Sequence, residues 1–342
     1  MMNYPKYKVA AVQAGPVYMD LDATVTKACK LIEEAASNGA KLVGFPESFL
    51  SGYPWWIWLG SGESCEECYP LLLASAVTDG DGTLARIGEC AKENNIYVCI
   101  SGHERVGDCV HMTQFWFNDQ GDLIGKHRKM KATAAERRVW TDGDGSTMRV
   151  MNTAIGKLGS LQCAEHHVPA YRATLGAQGQ QIHVAGYPPL PVQLPGTMGA
   201  YGPFNAVKTL CIENKAFGIM CCQVISQECL DMVCGDDLAK LNKMPTMAAG
   251  HGGVGGGFAR IVNPRGEDIS DRHIPDDEEG IVYGDVDLND CVIGKMYYDC
   301  YVNAKRASFM HLELDVKSEQ SLIIKGEAPD NYVQFSDLKA AK

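Results

Sequence analysis

Short apolar, β-rich runs alternate along most of this chain with stretches whose apolar residues recur at helical spacing. The first run covers residues 9–13. Apolar positions then recur from Leu21 to Ala35 with helical periodicity, and Gly39 is a plausible stop. A chain of 342 residues with 46% hydrophobic content can bury a sizeable core. Interleaved strands and helices therefore predict an α/β fold.

The same pattern continues without a linker-like tract or an internal repeat. Further strands are predicted at residues 42–45, 96–101, 112–117, 148–151, 158–161, 182–185, 217–225, 258–262 and 281–286, and further helices at 85–95, 170–177 and 206–215. The pattern weakens from about residue 290. We therefore predict one domain over residues 1–290 and a tail over residues 291–342, available for contacts between subunits.

Composition excludes several classes of protein. A net charge of -11 without a long basic run argues against a nucleic-acid partner. The chain contains no run of 18 apolar residues, so no membrane span is predicted. No apolar segment follows the polar first residues, as it would in a secretory signal, so we expect a cytoplasmic protein. The fourteen cysteines then indicate reduced thiols, and the single CxxC pair, Cys65 and Cys68, does not predict a metal site.

Cys163 lies where a predicted strand ends and a helical pattern begins. Helix N-terminal amides lower the pKa of a nearby thiol, so this position favours a nucleophilic thiolate. Among fourteen cysteines a buried structural role is the simpler interpretation, but the polar run Glu165, His166 and His167 is unusual beside a core cysteine. A Cys/His pair stays open, although neighbours at a helix start usually point apart.

Two other predicted strands also end in chemically active residues. Glu47 follows the strand at 42–45, and Lys129 follows His127 and Arg128. Each could be a solvated loop residue, and Glu136 could be an ordinary surface acid. A carboxylate, a lysine and a thiol at strand ends are nevertheless the parts of a covalent hydrolase.

Aromatic and glycine-rich segments leave alternatives open. Tyr53, Trp55, Trp56 and Trp58 form either a packing or subunit contact, or the wall of an apolar substrate pocket. The run at 249–257 is rich in glycine but lacks the Gly-Lys-Ser/Thr ending of a phosphate loop, and a strand follows it. We therefore expect a tight, closely packed turn there.

Together these segments resemble the nitrilase superfamily, and within it the true nitrilase branch. Residues 45–54, Phe-Pro-Glu-Ser-Phe-Leu-Ser-Gly-Tyr-Pro, resemble its glutamate motif. Residues 127–140, His-Arg-Lys-Met-Lys-Ala-Thr-Ala-Ala-Glu-Arg-Arg-Val-Trp, resemble the lysine motif, and residues 163–166, Cys-Ala-Glu-His, the nucleophile motif. The resemblance covers roughly residues 7–287.

The resemblance implies a role for each matching residue. Glu47 would be the general base, Lys129 would stabilise the intermediate, Cys163 would be the nucleophile, and Glu136 would be a second, supporting glutamate. The substrate-binding positions would be Tyr53, Trp56, Ala164, Glu165 and His166.

The resemblance also implies a four-layer α-β-β-α sandwich in a homo-oligomer, often of dimers that assemble into spirals, without cofactor or metal. Two departures affect these expectations. Ala164 stands where nitrilases usually carry Trp, which alters the pocket. The usual tail motif, a His with Ser-Arg-Pro-Asp, is absent, and residues 301–309 occupy about its place.

The implied reaction is hydrolysis of an organic nitrile to a carboxylic acid and ammonia through a cysteine thioimidate and thioester, with an amide as a second product. As substrates we expect aromatic or arylaliphatic nitriles rather than short aliphatic ones, and hydrogen cyanide is left open as an alternative substrate. The alternatives are an amidase or carbamoylase of the same superfamily, against which Trp140 and Gly143-Asp144-Gly145-Ser146 weigh, and an inactive scaffold.

Overall fold

The computed structural model describes residues 4–59, 62–192, 194, 196, 199–235, 237, 240, 253–301, 308 and 311–317. The strands in these ranges are β1 Lys6–Gln13, β2 Ala40–Gly44, β3 Tyr97–Val106, β4 Cys109–Phe117, β5 Leu123–Arg128, β6 Met151–Thr153, β7 Gly156–Gln162, β8 Ile182–Tyr187, β9 Phe217–Cys222, β10 Arg260–Val262 and β11 Gly280–Asp287. The helices are α1 Leu21–Ser37, α2 Gly62–Ala74, α3 Gly82–Glu93, α4 Pro169–Ala177, α5 Tyr201–Asn214, α6 Gln227–Cys234 and α7 Leu288–Tyr297.

The strands form two half-sheets in the order β5-β4-β3-β2-β1 and β9-β8-β7-β6. β11 pairs with β1 in the first half, and β10 pairs with β9 in the second. Within the described residues, the strand pairing that joins the halves is that of Gln13 in β1 with Cys222 in β9. Since one residue pair cannot hold two sheets in one plane, the halves are free to stack face to face.

Alternate residues of each strand face different layers. Val9 and Ala11 of β1 share a buried cluster with Ile182 and Val184 of the other half-sheet. The intervening Ala10 and Val12 pack instead with the buried faces of α1 and α3, and the outer face of the second half-sheet packs on α4 and α5. This period-two alternation produces four layers, α-β-β-α, and confirms the predicted fold class.

Most predicted elements are present with shifted ends, and a few differ. Residues 148–151 do not form one strand. A 3₁₀ turn, Gly145–Thr147, holds the Met148 and Arg149 amides before β6 begins at Met151. The helix predicted at 206–215 begins earlier, as α5 at Tyr201, and α2, α6 and α7 were not predicted because their apolar periodicity is weak or short. The domain boundary at residue 290 falls within α7 and stays a prediction.

The glycine-rich run forms the expected tight turn where it is described. Gly256 has a φ of +91°, and its carbonyl accepts a hydrogen bond of 2.7 Å from the Leu190 amide. A Cβ at Gly256 would lie 2.6 Å from a carbon of Pro189, so a larger residue would not fit. Residues 249–252 lie outside the described residues.

Among the described helices, none has the length and apolar character that a membrane span requires.

Three strand ends meet at one edge of the two half-sheets. β2, β1, β9, β8 and β7 are mutually parallel, and β5 runs parallel to β2 because two antiparallel pairings separate it from β3. The carboxyl ends of β2, β5 and β7 therefore point the same way. They lead directly into the segments that carry Glu47, Lys129 and Cys163.

Glu104 on β3 anchors the end of β5. Its buried carboxylate accepts two hydrogen bonds of 2.7 Å from Arg128 and others from Lys126 and Thr113. Burial alone would raise the pKa of Glu104, but the bonds from Arg128, Lys126 and Thr113 hold that pKa at about 2. The bidentate contact fixes the residue that immediately precedes Lys129.

We expect Glu104→Gln to lower the free energy of unfolding by about 3 kcal/mol at about pH 7, since it leaves two cations without their carboxylate. Because the pKa of Glu104 is depressed in the folded state, this contribution is present above about pH 4.5 and is lost as the pH falls toward about 2. Urea unfolding at about pH 7 and about pH 3 measures both effects.

Asp79→Asn provides the matched control. Asp79 also pairs with Lys126, but its side chain is 66% exposed. We expect this control to change stability by less than about 1 kcal/mol. Equal losses in the two variants would contradict the anchoring role of Glu104.

Candidate active site

Lys129 leaves the end of β5 with its ammonium group directed into the protein. Its side chain is only 2% exposed, and its Nζ donates to Glu47 Oε1 at 2.7 Å and to Glu136 Oε2 at 2.9 Å. Its backbone is fixed as well, since its amide donates to Met112 O at 2.8 Å. Burial works to lower the pKa of Lys129, but Glu136 and Glu47 raise it well above its usual range. The ammonium ion therefore stays charged between the carboxyl groups of Glu47 and Glu136.

Glu47 is fully buried near the start of the loop that follows β2. Burial raises the pKa of its carboxyl group to about 8, even though the charge of Lys129 favours the ionised form. Among the described residues, no hydrogen-bond partner reaches Glu47 Oε2, while Gln223 Nε2 donates to the Glu47 carbonyl at 2.5 Å. A carboxyl group with one free oxygen and a pKa near neutrality is suited to moving protons.

Glu136 supplies the second carboxylate from the 3₁₀ turn Ala134–Arg138. Its Oε2 accepts a 2.7 Å bond from the Thr133 amide, as part of a capping box at the start of this turn. Its Oε1 accepts a 2.9 Å bond from the Tyr53 hydroxyl, which in turn accepts from Trp58. The orientation of Glu136 toward Lys129 is therefore fixed by both backbone and side chains.

Cys163 begins the 3₁₀ turn Cys163–His167 directly after β7, and its side chain is partly accessible. Its φ of +46° is an uncommon left-handed conformation for a residue with a Cβ. The charges of Glu47, Lys129 and Glu136 all act on the thiol, so the structure brings together the predicted residues from three motifs.

The expected lowering of the thiol pKa is wrong. Burial raises the pKa of Cys163 well above its usual range, and the charge of Glu47 raises it further, while Lys129 and the Ala164 N–H lower it. The first α-helix after Cys163 is α4, which begins only at Pro169, so the amide that acts on the sulfur is that of Ala164 in the 3₁₀ turn and not the N-terminus of an α-helix. The thiol therefore needs a base that accepts its proton.

Glu165 is oriented toward the protein interior, and its carboxylate joins three segments. It accepts bonds of 2.8 Å from the amides of Gln162 and Met130 and lies 2.9 Å from the His127 ring. Burial would raise the pKa of Glu165, but His127 and the two amides lower it below its usual value. These contacts connect the segment of Lys129 to the start of the Cys163 turn. The predicted contact of Glu165 with substrate stays a prediction.

His166 is also buried, and its ring is stacked on Tyr187 with centroids 5.0 Å apart. Its Nδ1 lies 2.8 Å from the Cys163 carbonyl oxygen, and its Nε2 lies 2.9 Å from His183 Nε2. Both ring nitrogens of His166 are thus occupied, which leaves none for a pair between His166 and the Cys163 thiol, while a pair with His167 stays a prediction.

The aromatic residues after Glu47 mostly form packing contacts. Tyr53, Trp55 and Trp56 are buried in one cluster with Trp140, whose ring lies 5.2 Å from Lys129 Nζ. Trp56 also lines a cavity of about 370 Å³ together with Tyr69, Pro70, Arg138 and Glu66. Ala164 is partly exposed beside the thiol. Substrate contacts of Tyr53, Trp56 and Ala164 stay predictions.

Several residues of this site were not found from the sequence. Ser101 on β3 donates to Gln162 Oε1 at 2.6 Å and accepts from the Ser48 amide at 3.1 Å, so it connects the glutamate loop to the cysteine strand. Gln223, just after β9, bonds to the Glu47 carbonyl, and His183 on β8 lies against His166. Because these contacts join distant parts of the chain, the local sequence carries no signal for them. In the described part of the chain, no cluster of three or more His, Cys, Asp or Glu is arranged to hold a metal ion.

The family is decided by comparison with known proteins. The model of a family described as carbon-nitrogen hydrolase matches residues 8–293. The chain belongs to this family. It is 39% identical over 342 residues to a nitrilase of Bacillus sp. (strain OxB-1), an alignment that covers 99% of this chain and 97% of that protein. It is 31% identical over 316 residues to an aliphatic nitrilase of Rhodococcus rhodochrous, covering 92% and 80% of the two chains. The nitrilase branch and a hydrolase acting on carbon-nitrogen bonds are thereby confirmed.

Solved structures agree on the fold of this carbon-nitrogen hydrolase. A mutant amidase from Nesterenkonia sp. AN1 superposes with a TM-score of 0.61 at 16% sequence identity, over 89% of this chain and 95% of that chain. The family architecture is therefore present, as the four layers had indicated.

We expect Lys129→Met to lower the free energy of unfolding by about 3 kcal/mol near pH 8, because two buried carboxylates lose the cation between them. Without Lys129, the cation that favours the ionised form of Glu47 is gone, so the folded-state pKa of Glu47 rises further above about 8 and stability falls as the pH increases. The loss should therefore be smaller at about pH 5 than at about pH 8, as measured by urea unfolding.

Lys131→Met is the control, since Lys131 pairs with Asp142 but is 56% exposed. We expect a change of less than about 1 kcal/mol that hardly varies with pH. A loss in Lys129→Met that is equally large at the two pH values would contradict the buried charge cluster.

Proposed function

We propose that this protein is a nitrilase that converts an organic nitrile and two molecules of water into a carboxylic acid and ammonia. The observation that carries the proposal is the buried Lys129 ammonium, held between Glu47 and Glu136, with the charges of all three residues acting on the Cys163 thiol. The nitrilases among its relatives support the choice of nitrile over amide.

In the first half of the reaction, Glu47 accepts the thiol proton and the Cys163 sulfur attacks the nitrile carbon. A carbon–sulfur bond forms, one π bond to nitrogen breaks, and the nitrogen receives the proton from Glu47 to give a thioimidate. The raised thiol pKa fits this sequence, because the proton leaves only as the substrate is attacked and the base lies nearby.

In the second half, Glu47 removes a proton from water, and the oxygen adds to the thioimidate carbon. Lys129 and the Ala164 N–H stabilise the charge that develops on the tetrahedral species. The nitrogen receives the proton from Glu47 and the proton of the added hydroxyl group, so cleavage of the carbon–nitrogen bond releases ammonia and leaves a thioester. A second water then hydrolyses the thioester to the acid and the free thiol. If the carbon–sulfur bond breaks first, an amide leaves instead.

Substrate class and assembly belong to the same proposal. The cavity lined by Trp56 and Tyr69 supports aromatic or arylaliphatic nitriles, and Ala164 leaves more room beside the sulfur than the usual Trp. We further propose a cytoplasmic homo-oligomer that acts on a small molecule, with no nucleic-acid partner. The free thiols of the described cysteines are consistent with a reducing compartment.

Ammonia release across matched nitriles and amides tests the proposal. We expect release from nitriles, fastest for arylaliphatic or aromatic ones, and a loss of at least about a thousandfold in Cys163→Ala, because the covalent intermediate cannot form. Cys109→Ala, at an exposed cysteine, is the matched control and should retain full activity. Release from amides alone would place the protein with the amidases, and an inert wild type would favour a scaffold.

The pH dependence tests Glu47 as the base. Because Glu47 must be ionised to accept the thiol proton, kcat/KM should rise with pH through a midpoint of about 8 and then level off. We expect Glu47→Gln to lose at least about a thousandfold in kcat. A profile that is flat from about pH 6 to about pH 9 would argue against this role.

A further inference from the structure

A chain of hydrogen bonds runs from the backbone of Cys163 into the second half-sheet. His166 Nδ1 lies 2.8 Å from the Cys163 carbonyl oxygen, His166 Nε2 lies 2.9 Å from His183 Nε2, and His183 Nδ1 lies 3.3 Å from the side-chain amide of Gln180. All three side chains are fully buried. None of them reaches the sulfur, so the reaction described above does not use them directly.

Both imidazoles are neutral in this chain. Burial lowers the pKa of His166 to about 4 and takes the pKa of His183 well below its usual value, to which the neighbouring His166 contributes. A neutral imidazole carries one N–H and one bare nitrogen. The two rings together therefore carry two protons on four ring nitrogens. Three of these nitrogens lie 3 Å or less from a defined partner.

The partners fix where each proton lies. The Cys163 carbonyl is only an acceptor, so His166 must carry its proton on Nδ1. His166 Nε2 is then bare and needs a donor, which places the proton of His183 on Nε2. His183 Nδ1 is bare in turn and needs a donor from Gln180.

The Gln180 amide group can supply that donor. In the orientation with its oxygen toward His183, Gln180 Nε2 has no hydrogen-bond partner among the described residues. Rotation of the amide by 180° brings the nitrogen onto His183 Nδ1 and satisfies it. The chain then donates in one direction only, from Gln180 to His183, from His183 to His166, and from His166 to the Cys163 carbonyl.

This direction matters because the Cys163 carbonyl and the Ala164 N–H belong to the same planar peptide unit. In a trans peptide the two groups point in opposite directions, so a bond that holds the carbonyl also fixes the direction of the N–H. The Ala164 N–H acts on the Cys163 thiol, and Cys163 is held at a φ of +46°. A residue in such a conformation needs surrounding contacts to keep it there.

We propose that Gln180, His183 and His166 form a one-directional hydrogen-bond chain that positions the Cys163–Ala164 peptide, so that the Ala164 N–H faces the reacting sulfur and the intermediate formed on it. The three are positioning residues that act through the backbone. This inference rests on the proposed function for its effect on turnover, but the proton positions themselves do not depend on any substrate.

Histidine ¹⁵N NMR of the full-length protein tests the proton positions. We expect His166 as the neutral tautomer protonated at Nδ1, which is the rarer form, and His183 as the neutral tautomer protonated at Nε2. Signals are assigned with the single variants His166→Asn and His183→Leu. A His166 ring protonated at Nε2 would overturn the proposal, whatever the enzyme's substrate.

Two substitutions at His183 test the effect on the reaction. His183→Leu removes the donor to His166, and we expect kcat to fall about tenfold with KM nearly unchanged, because the N–H acts mainly on the intermediate. His183→Gln places an amide nitrogen where Nε2 was and should restore most of kcat. His273→Leu is the matched control, since His273 is 59% exposed on the surface, and it should retain full activity.

Alkylation of Cys163 by iodoacetamide, monitored by mass spectrometry, gives a readout that needs no substrate. We expect the alkylation rate to fall about tenfold in His183→Leu. Unchanged kcat and alkylation in His183→Leu would overturn the proposal, as would equal losses in the Leu and Gln variants. If wild type hydrolyses no nitrile or amide, the proposed function fails, while the NMR and alkylation results still decide this inference.

Discussion

The buried ammonium ion of Lys129 is the interaction on which the rest of the site depends. Two carboxylates in a protein interior repel each other, and each alone would take up a proton. Lys129 keeps Glu47 and Glu136 together at 2.7 and 2.9 Å, and the same charge lowers the pKa of the nearby Cys163 thiol against the opposing effects of burial and Glu47. Buried charges are costly unless they are paired and hydrogen-bonded, so the surrounding structure must hold these groups rigidly.

The four-layer fold provides that rigidity by bringing together parts of the chain that are far apart in sequence. The parallel ends of β2, β5 and β7 deliver the three reactive residues, and polar side chains then connect the three segments. Glu165 joins the lysine segment to the cysteine strand, Ser101 joins that strand to the glutamate loop, and Glu104 anchors the end of β5. Each of these side chains is buried with its hydrogen-bonding capacity used, which makes a network of this kind both stable and specific.

The sequence predicted the α/β class, most of the strands and the three motif residues, because apolar periodicity and motif spacing are local properties. It failed where a property depends on the environment. The thiol pKa was expected to be lowered by a helix N-terminus, yet Cys163 starts a short 3₁₀ turn and lies near carboxylates. For Glu165 and His166, whose substrate-binding role was implied by the resemblance, contact with substrate stays a prediction, and the structure adds that both side chains are hydrogen-bonded within the protein interior.

By itself, the sequence determined which chemical groups are available and that each follows a strand, since residue order and periodicity are written in the chain. Only the tertiary structure decided which groups meet, how deeply they are buried and which proton each one holds. His183 and Gln180 illustrate the difference, because nothing in their local sequence connects them to Cys163. Protonation and hydrogen-bond direction follow from distance, desolvation and the set of partners, and these quantities exist only once distant segments have packed together.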